Sequence, residues 1–186
     1  NIAMRHLLLL FLSILFACNP QKESSDESIL LDSVFTTPLG KTFEIPAPSE
    51  KLLSQYEEAK ATFEANPRDV EALIWYGRRA AYLGQYRKAI DIFTKGLEKF
   101  PNEPRLYRHR GHRYISIREY DKAISDFEKA AELIQGTADE IEPDGMPNDL
   151  NIPVSSLHGN IYYHLGLAYY LTHQYEKAYE AFLKCR

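Results

Sequence analysis

Tyr162-Tyr163-His164-Leu165-Gly166-Leu167-Ala168-Tyr169, followed nine residues on by Ala178-Tyr179-Glu180-Ala181-Phe182, is the stretch on which the fold turns. Its glycine has counterparts at Gly77 and Gly111, and its Ala-x-x-x-Phe has counterparts at Ala89 to Phe93 and Ala123 to Phe127. Each copy places large residues three or four positions from the glycine, the spacing of one helical face. Leu73, Tyr107 and Tyr162 precede it by four, and Ala80, Tyr114 and Tyr169 follow it by three. A glycine inside a helix costs about 1 kcal/mol relative to alanine, so close packing at that point is the reason to expect one. The second segment of each copy opens on Tyr86, Tyr120 or Tyr175 and carries its small and large residues on one stripe.

The spacing, a 34-residue period between Gly77 and Gly111 with the echo at Gly166, resembles the tetratricopeptide repeat. The resemblance covers residues 70 to 186 apart from one insertion. It implies an all-α fold, a right-handed superhelix of antiparallel helix pairs (an α-solenoid), and a role in holding other molecules without chemistry of its own. In the register of that family the glycines stand at position 8, the alanines at 20 and the phenylalanines at 24. The tyrosines at positions 4, 11 and 17 are then core residues. The turn between paired helices calls for positive φ, which Gly84 meets, while Arg118 and His173 stand at the equivalent places and are expected to be strained. Pro101-Asn102-Glu103-Pro104 separates the first copy from the second.

Around this core the chain divides into segments. Residues 49–66, with Leu52, Leu53, Tyr56, Ala59 and Phe63 at helical spacing, read as a helix capping the first repeat. Repeats 1 and 2 occupy 67–137, an acidic, proline-containing insertion 138–158, and repeat 3 residues 159–186. Arg186 falls within the second helix of that repeat, which reads as truncated. Residues 19–48 read as a flexible tether in which Val34-Phe35-Thr36 and Thr42-Phe43-Glu44-Ile45 form a small hairpin or an extended strap.

Residues 1–18 read as a signal peptide starting at Met4. The apolar run Leu7 to Phe16 is shorter than the roughly 20 residues of a spanning helix, and Leu15-Phe16-Ala17-Cys18 resembles a bacterial lipobox. The resemblance implies a mature chain that begins at an acylated Cys18, carrying fatty acids such as palmitate. Asn19 after the cysteine implies sorting to the outer membrane. An ordinary signal peptide or short anchor with an incidental cysteine is the alternative. Cys185, at a repeat position held by Gly96 and Ala130 elsewhere, reads as a small buried residue and not as half of a disulfide.

Charge is divided along the chain. Residues 66–118 hold 12 Lys and Arg against 5 Asp and Glu, and residues 119–186 hold 5 against 12. In the family, the first helix of each repeat lines the groove through positions 2, 5, 6, 9, 12 and 13. Carried over, the groove candidates are Trp75, Arg78, Tyr82, Arg105, Arg108, His109, His112, Tyr163 and His164, with Ile74 and Ala81 at further groove-lining positions of the first repeat. Arginine forks with Trp and Tyr anchors suit an extended protein or peptide partner of acidic and aromatic character. A merely solvated helical face is the bland alternative. Ile74 and Arg78 stand where the chaperone-tail-binding members carry Lys and Asn, so a chaperone-tail ligand is not expected. Export and the net charge of −4 disfavour nucleic acid.

No cofactor is expected. Glu140, Glu142, Asp144 and Gly145 open like a calcium loop, but Asn151 stands where the bidentate Glu belongs. The insertion is expected instead to be a loop, partly anchored by Ile141, Leu150, Ile152 and Val154, that folds over a groove edge or opposes the basic half of the groove. His109, His112 and His164 share a face, as a zinc site would require, yet lack a carboxylate motif and read as solvated groove residues. A lipid-anchored adaptor is the leading functional reading. A glycan-binding or small-ligand-binding lipoprotein is its alternative, and a metal-dependent enzyme comes third.

Overall fold

A computed structural model describes residues 34–36, 39–44, 47–142 and 148–185, all within the unit Leu31–Arg186. The signal peptide with Cys18 and the Asp144-Gly145 pair lie outside the described residues. Two short strands, β1 (Val34–Thr36) and β2 (Thr42–Glu44), pair antiparallel with Phe35 opposite Phe43. Gly40 takes φ 78° in the turn, so the hairpin is the form adopted by that part of the tether. Seven helices follow: α1 (Glu50–Ala65), α2 (Val70–Tyr82), α3 (Tyr86–Lys99), α4 (Pro104–Ser116), α5 (Tyr120–Leu133), α6 (Leu157–Leu171) and α7 (Tyr175–Leu183). Among the described residues no helix is long and apolar enough to cross a membrane.

Helix starts are fixed locally. The Ser49 hydroxyl accepts from the Leu52 N–H, the Asp69 carboxylate from Glu71 N–H at 2.8 Å, and the Ser156 hydroxyl from Gly159 N–H at 3.1 Å. Pro104 opens α4, where its missing N–H is no loss. The turns inside the three pairs share one design. Gly84, Arg118 and His173 take φ of 79°, 62° and 63°. The next residue's N–H then reaches back to the preceding helix, Gln85 to Ala80, Glu119 to Tyr114 and Gln174 to Tyr169, at 2.9–3.1 Å. These are Schellman closures, and two of the three are built on a non-glycine residue.

The pairs lock through the small-on-large contact that the repeat spacing predicts. A Cβ on Gly77 would lie 2.4 Å from the Phe93 ring, one on Gly166 2.7 Å from Phe182, and one on Gly111 3.0 Å from Phe127. Phe93, Phe127, Ala89 and Ala123 are fully buried. α1 closes the first pair by laying Phe63 parallel on Tyr76 at 5.7 Å and burying Tyr56. One polar clasp joins the first two pairs: Arg110 of α4 forks onto the buried Asp126 of α5 at 2.7 and 2.8 Å and also donates to Thr94 of α3.

Several core expectations need correction. Tyr86 and Tyr175 at position 17 are exposed, because a helix-opening residue projects past the end of its partner helix. Cys185 is half-buried and reduced, since among the described residues no following helix covers it. Ile141, Leu150, Ile152 and Val154 are all more than half exposed, so they do not anchor the insertion. Polar groups do: Asp139 accepts from the His158 N–H at 2.9 Å, the Ile141 backbone bridges Ser156, and Glu142 is buried.

Candidate functional site

The candidate surface is the face shared by α2, α4 and α6, of which α4 touches both others. At the α2 end Arg78 lies over the Trp75 ring at 4.2 Å and donates to the Tyr82 hydroxyl at 3.0 Å. Arg79 approaches the same two rings at 5.0 and 5.6 Å while donating to Gln55 of α1. Cation–π stacking therefore orders the arginines and both aromatic candidates into one cluster. Tyr82 remains exposed on it.

On α4 the arginines are already paired. Arg105 forks onto both oxygens of Glu103 and also reaches Glu71, and the Glu103 contact holds its guanidinium above the ordinary value. Arg108 is buried; it donates from Nη2 to Glu142 of the insertion at 2.5 Å and to His109 Nε2 at 3.1 Å. Burial pushes Arg108 down to about 10, opposed by the attraction of Glu142, so the guanidinium stays charged at neutral pH. The second Glu142 oxygen accepts from the Asn160 side chain of α6. The insertion thus meets the basic face through a carboxylate, as its charge predicts.

The histidines are not solvated. His109 is 8% exposed and stacks on Phe93 at 5.7 Å, and His164 stacks on Phe127 at the same distance. His112 and His164 come together with ring centroids 4.6 Å apart. Burial holds all three imidazoles neutral: His109 falls well below its usual range, His112 to about 3 and His164 to about 4, with neighbouring arginines adding to the effect. His112 Nδ1 accepts from Arg113 at 2.7 Å, and His164 Nδ1 donates to the Asn160 carbonyl at 2.7 Å. Those bonds orient the rings for packing. Among the described residues no group of three or more His, Cys, Asp or Glu side chains is placed to hold a metal ion.

Ile74 and Ala81, carried over as groove-lining positions, are instead core residues at 3% and 4% exposure, because α2 packs against both α1 and α4. Tyr163 is half exposed at the α6 end, with Tyr170 on the same helix. Asn160, at groove position 2 of the third repeat, lies on the face where the family register puts it, and the residue that sequence reasoning did not assign to this face is its partner Glu142 of the insertion.

The tetratricopeptide repeat family matches residues 104–136 and 159–185. Among solved structures the chain is similar to a crystal structure of MamA, with 24% identity over 70% of this chain and 64% of that one and a TM-score of 0.52. It is similar to a MamA RS-1 double mutant at 25% identity, covering 72% of this chain and 64% of the other with a TM-score of 0.54. A third match is residues 41 to the end of MamA from Desulfovibrio magneticus RS-1, at 19% identity over 72% and 66% of the two chains with a TM-score of 0.51. The chain therefore spans just under two-thirds of the first of these. The α2–α3 pair lies outside the family-matched segments, yet its Gly77–Phe93 contact has the geometry of the matched pairs. Residues 104–136 and 159–185 match the tetratricopeptide repeat, and the helix pairs from Val70 to Leu183 form an all-α, tetratricopeptide-like helical repeat array.

Proposed function

We propose that this chain is a non-enzymatic scaffold that holds an extended acidic, aromatic-bearing segment of a protein partner along the α2, α4 and α6 face. In this reading it is exported and anchored to the outer membrane through an acylated Cys18. The observation that carries the partner class is the Trp75–Arg78–Tyr82 cluster, in which the Arg78 guanidinium lies over the Trp75 ring at 4.2 Å and is tied to the Tyr82 hydroxyl at 3.0 Å. Such an arrangement presents fixed donors to carboxylates and fixed ring edges to aromatic side chains, with little side-chain entropy left to lose on binding. A sugar would compete with Arg78 and Arg79 for the same ring faces, so a peptide is favoured over a glycan.

The test is capture by the intact chain from solubilised envelope of its native host, repeated with Arg78→Glu and Tyr82→Ala. A protein partner retained by the parent and lost from both variants supports the scaffold. Binding to oligosaccharide alone would overturn it. The anchor is tested separately: Cys18→Ser should leave the membrane fraction, and a variant that stays there rules out acylation as the tether.

A further inference from the structure

Glu142 does at this face what a ligand would do. It belongs to none of the three helices, it is 9% exposed, and its two oxygens are held by side chains from two different repeats, Arg108 of α4 and Asn160 of α6. The backbone around it is extended. Glu142 N–H donates to the Ser155 carbonyl at 3.1 Å, Leu157 N–H donates to Glu140 at 2.9 Å, and Ile141 bridges Ser156. Glu140-Ile141-Glu142 is thus a short extended acidic segment laid against the start of α6.

The seat does not fit Glu142 fully. Arg108 Nε is buried without a hydrogen-bond partner, which is unfavourable for such a group. A guanidinium bonds carboxylates best through two parallel N–H donors, whereas Glu142 takes only Nη2. Among the described residues, the only backbone–backbone bonds beside it run from Glu142 N–H to Ser155 and from Leu157 N–H to Glu140. Arg78, Arg105 and Arg113 add like charge around Arg108, which favours a carboxylate at this seat.

We propose that Arg108 and Asn160 form a carboxylate-binding subsite, that Glu142 is its tethered occupant, and that an acidic side chain of an extended peptide binds there by displacing Glu142. This rests on the peptide-scaffold reading of the face and adds regulation to it: the insertion competes with the partner. A site open for only a fraction of the time binds with its intrinsic affinity reduced by that fraction. Removing the competitor raises affinity without adding a contact.

The probe is a fluorescein-labelled octapeptide of alternating Glu and Tyr, titrated into the full chain and into Glu142→Gln and Arg108→Gln variants at fixed salt. Glu142→Gln keeps an oxygen for Arg108 but loses the charge, and it should tighten binding roughly tenfold, as expected if the open fraction is about one in ten. Arg108→Gln should weaken binding by a similar factor. In the unmodified chain, which does not depend on any variant folding, adding peptide should speed hydrogen exchange at the Glu142 and Leu157 amides. Equal affinity of parent and Glu142→Gln, with those amides still protected in the complex, overturns the displacement and leaves the scaffold reading standing. No binding by either chain overturns the acidic-peptide reading and the displacement with it.

Discussion

The imidazole of His164 lies nearly parallel on the ring of Phe127, with centroids 5.7 Å apart and planes 20° from one another. His109 and Phe93 repeat the relationship one repeat earlier, at 5.7 Å and 17°. The sixth residue of each of these repeats thus covers the phenylalanine that fills the preceding one. The contact serves two purposes. It seals the Gly–Phe junction of one pair, and it couples that pair to the next, which is how a linear array gains cooperativity from nearest-neighbour interfaces.

Because these histidines are neutral when folded, acid should unfold the protein earlier than its carboxylates alone would. His112 and His164 fall from an ordinary 6.5 to about 3 and about 4, and burial is the chief cause. A depressed histidine leaves the unfolded chain binding more protons, so stability is complete above pH 6.5 and falls as pH drops towards 4. Each contributes a loss of about 1.4 kcal/mol per pH unit across that window. Urea midpoints measured from pH 7.5 to 4.5 should decline, and the decline should be shallower in His164→Phe, which keeps the ring contact. An unchanged slope in that variant would place the histidine in water.

The three glycine junctions should rank by the space that a methyl group would meet. Gly77→Ala drives a Cβ to 2.4 Å from a fully buried Phe93 and should destabilise by about 1–3 kcal/mol in spite of its better helix propensity. Gly111→Ala meets Phe127 at 3.0 Å, where the gain of about 1 kcal/mol in propensity offsets much of the strain. Gly166→Ala is tighter, at 2.7 Å, but Phe182 is 36% exposed and has room to turn away. Thermal melts that place Gly77→Ala lowest support the junction geometry; equal melting of all three contradicts it.

The junctions were legible in the sequence because they are local: a glycine, an alanine and a phenylalanine at fixed offsets within one repeat. The positive φ of Arg118 and His173 was legible for the same reason, since each occupies the place of Gly84. The candidate face was harder to read. Arg105 to Arg113 reads as a polar helix, so Arg108 and His109 look solvated. Their burial comes from α2, α6 and the insertion on either side, contacts that no single-helix periodicity encodes. The Arg108–Glu142 pair spans 34 residues across an insertion without a repeat register. Charge division made the basic half one of two expected places for the insertion, the other being a groove edge, and did not say which carboxylate would reach it.

Arg118→Gly should stabilise the protein. Arg118 sits at φ 62°, a conformation that costs a residue with a Cβ roughly 1–2 kcal/mol, and the closing bond from the Glu119 N–H to Tyr114 is made by backbone alone. Glycine removes that strain at the expense of about 0.5–1 kcal/mol of unfolded-chain entropy, for a net gain of about 0.5–1 kcal/mol. A raised denaturation midpoint checks this. Arg118→Ala should give none of the gain, which separates backbone strain from the charge.

The Arg110–Asp126 clasp makes a sharper energetic case, because both side chains are largely withdrawn from water, at 17% and 6% exposure. Removing one partner strands a buried charge. Asp126→Ala should therefore cost about 3–5 kcal/mol, and Arg110→Ala a comparable amount less whatever water can enter around the exposed edge. Replacing both by apolar residues of similar volume, Arg110→Met with Asp126→Leu, should recover most of the loss, since the solvation lost by the two ions no longer has to be offset by their attraction. Thr94, whose hydroxyl also accepts from Arg110, loses that bond in the double variant and sets the residual cost. A double-mutant cycle on urea midpoints gives the coupling directly. A double variant as unstable as the sum of the singles would mean that the pair is not a closed unit and that the α3–α4–α5 junction depends on each charge separately.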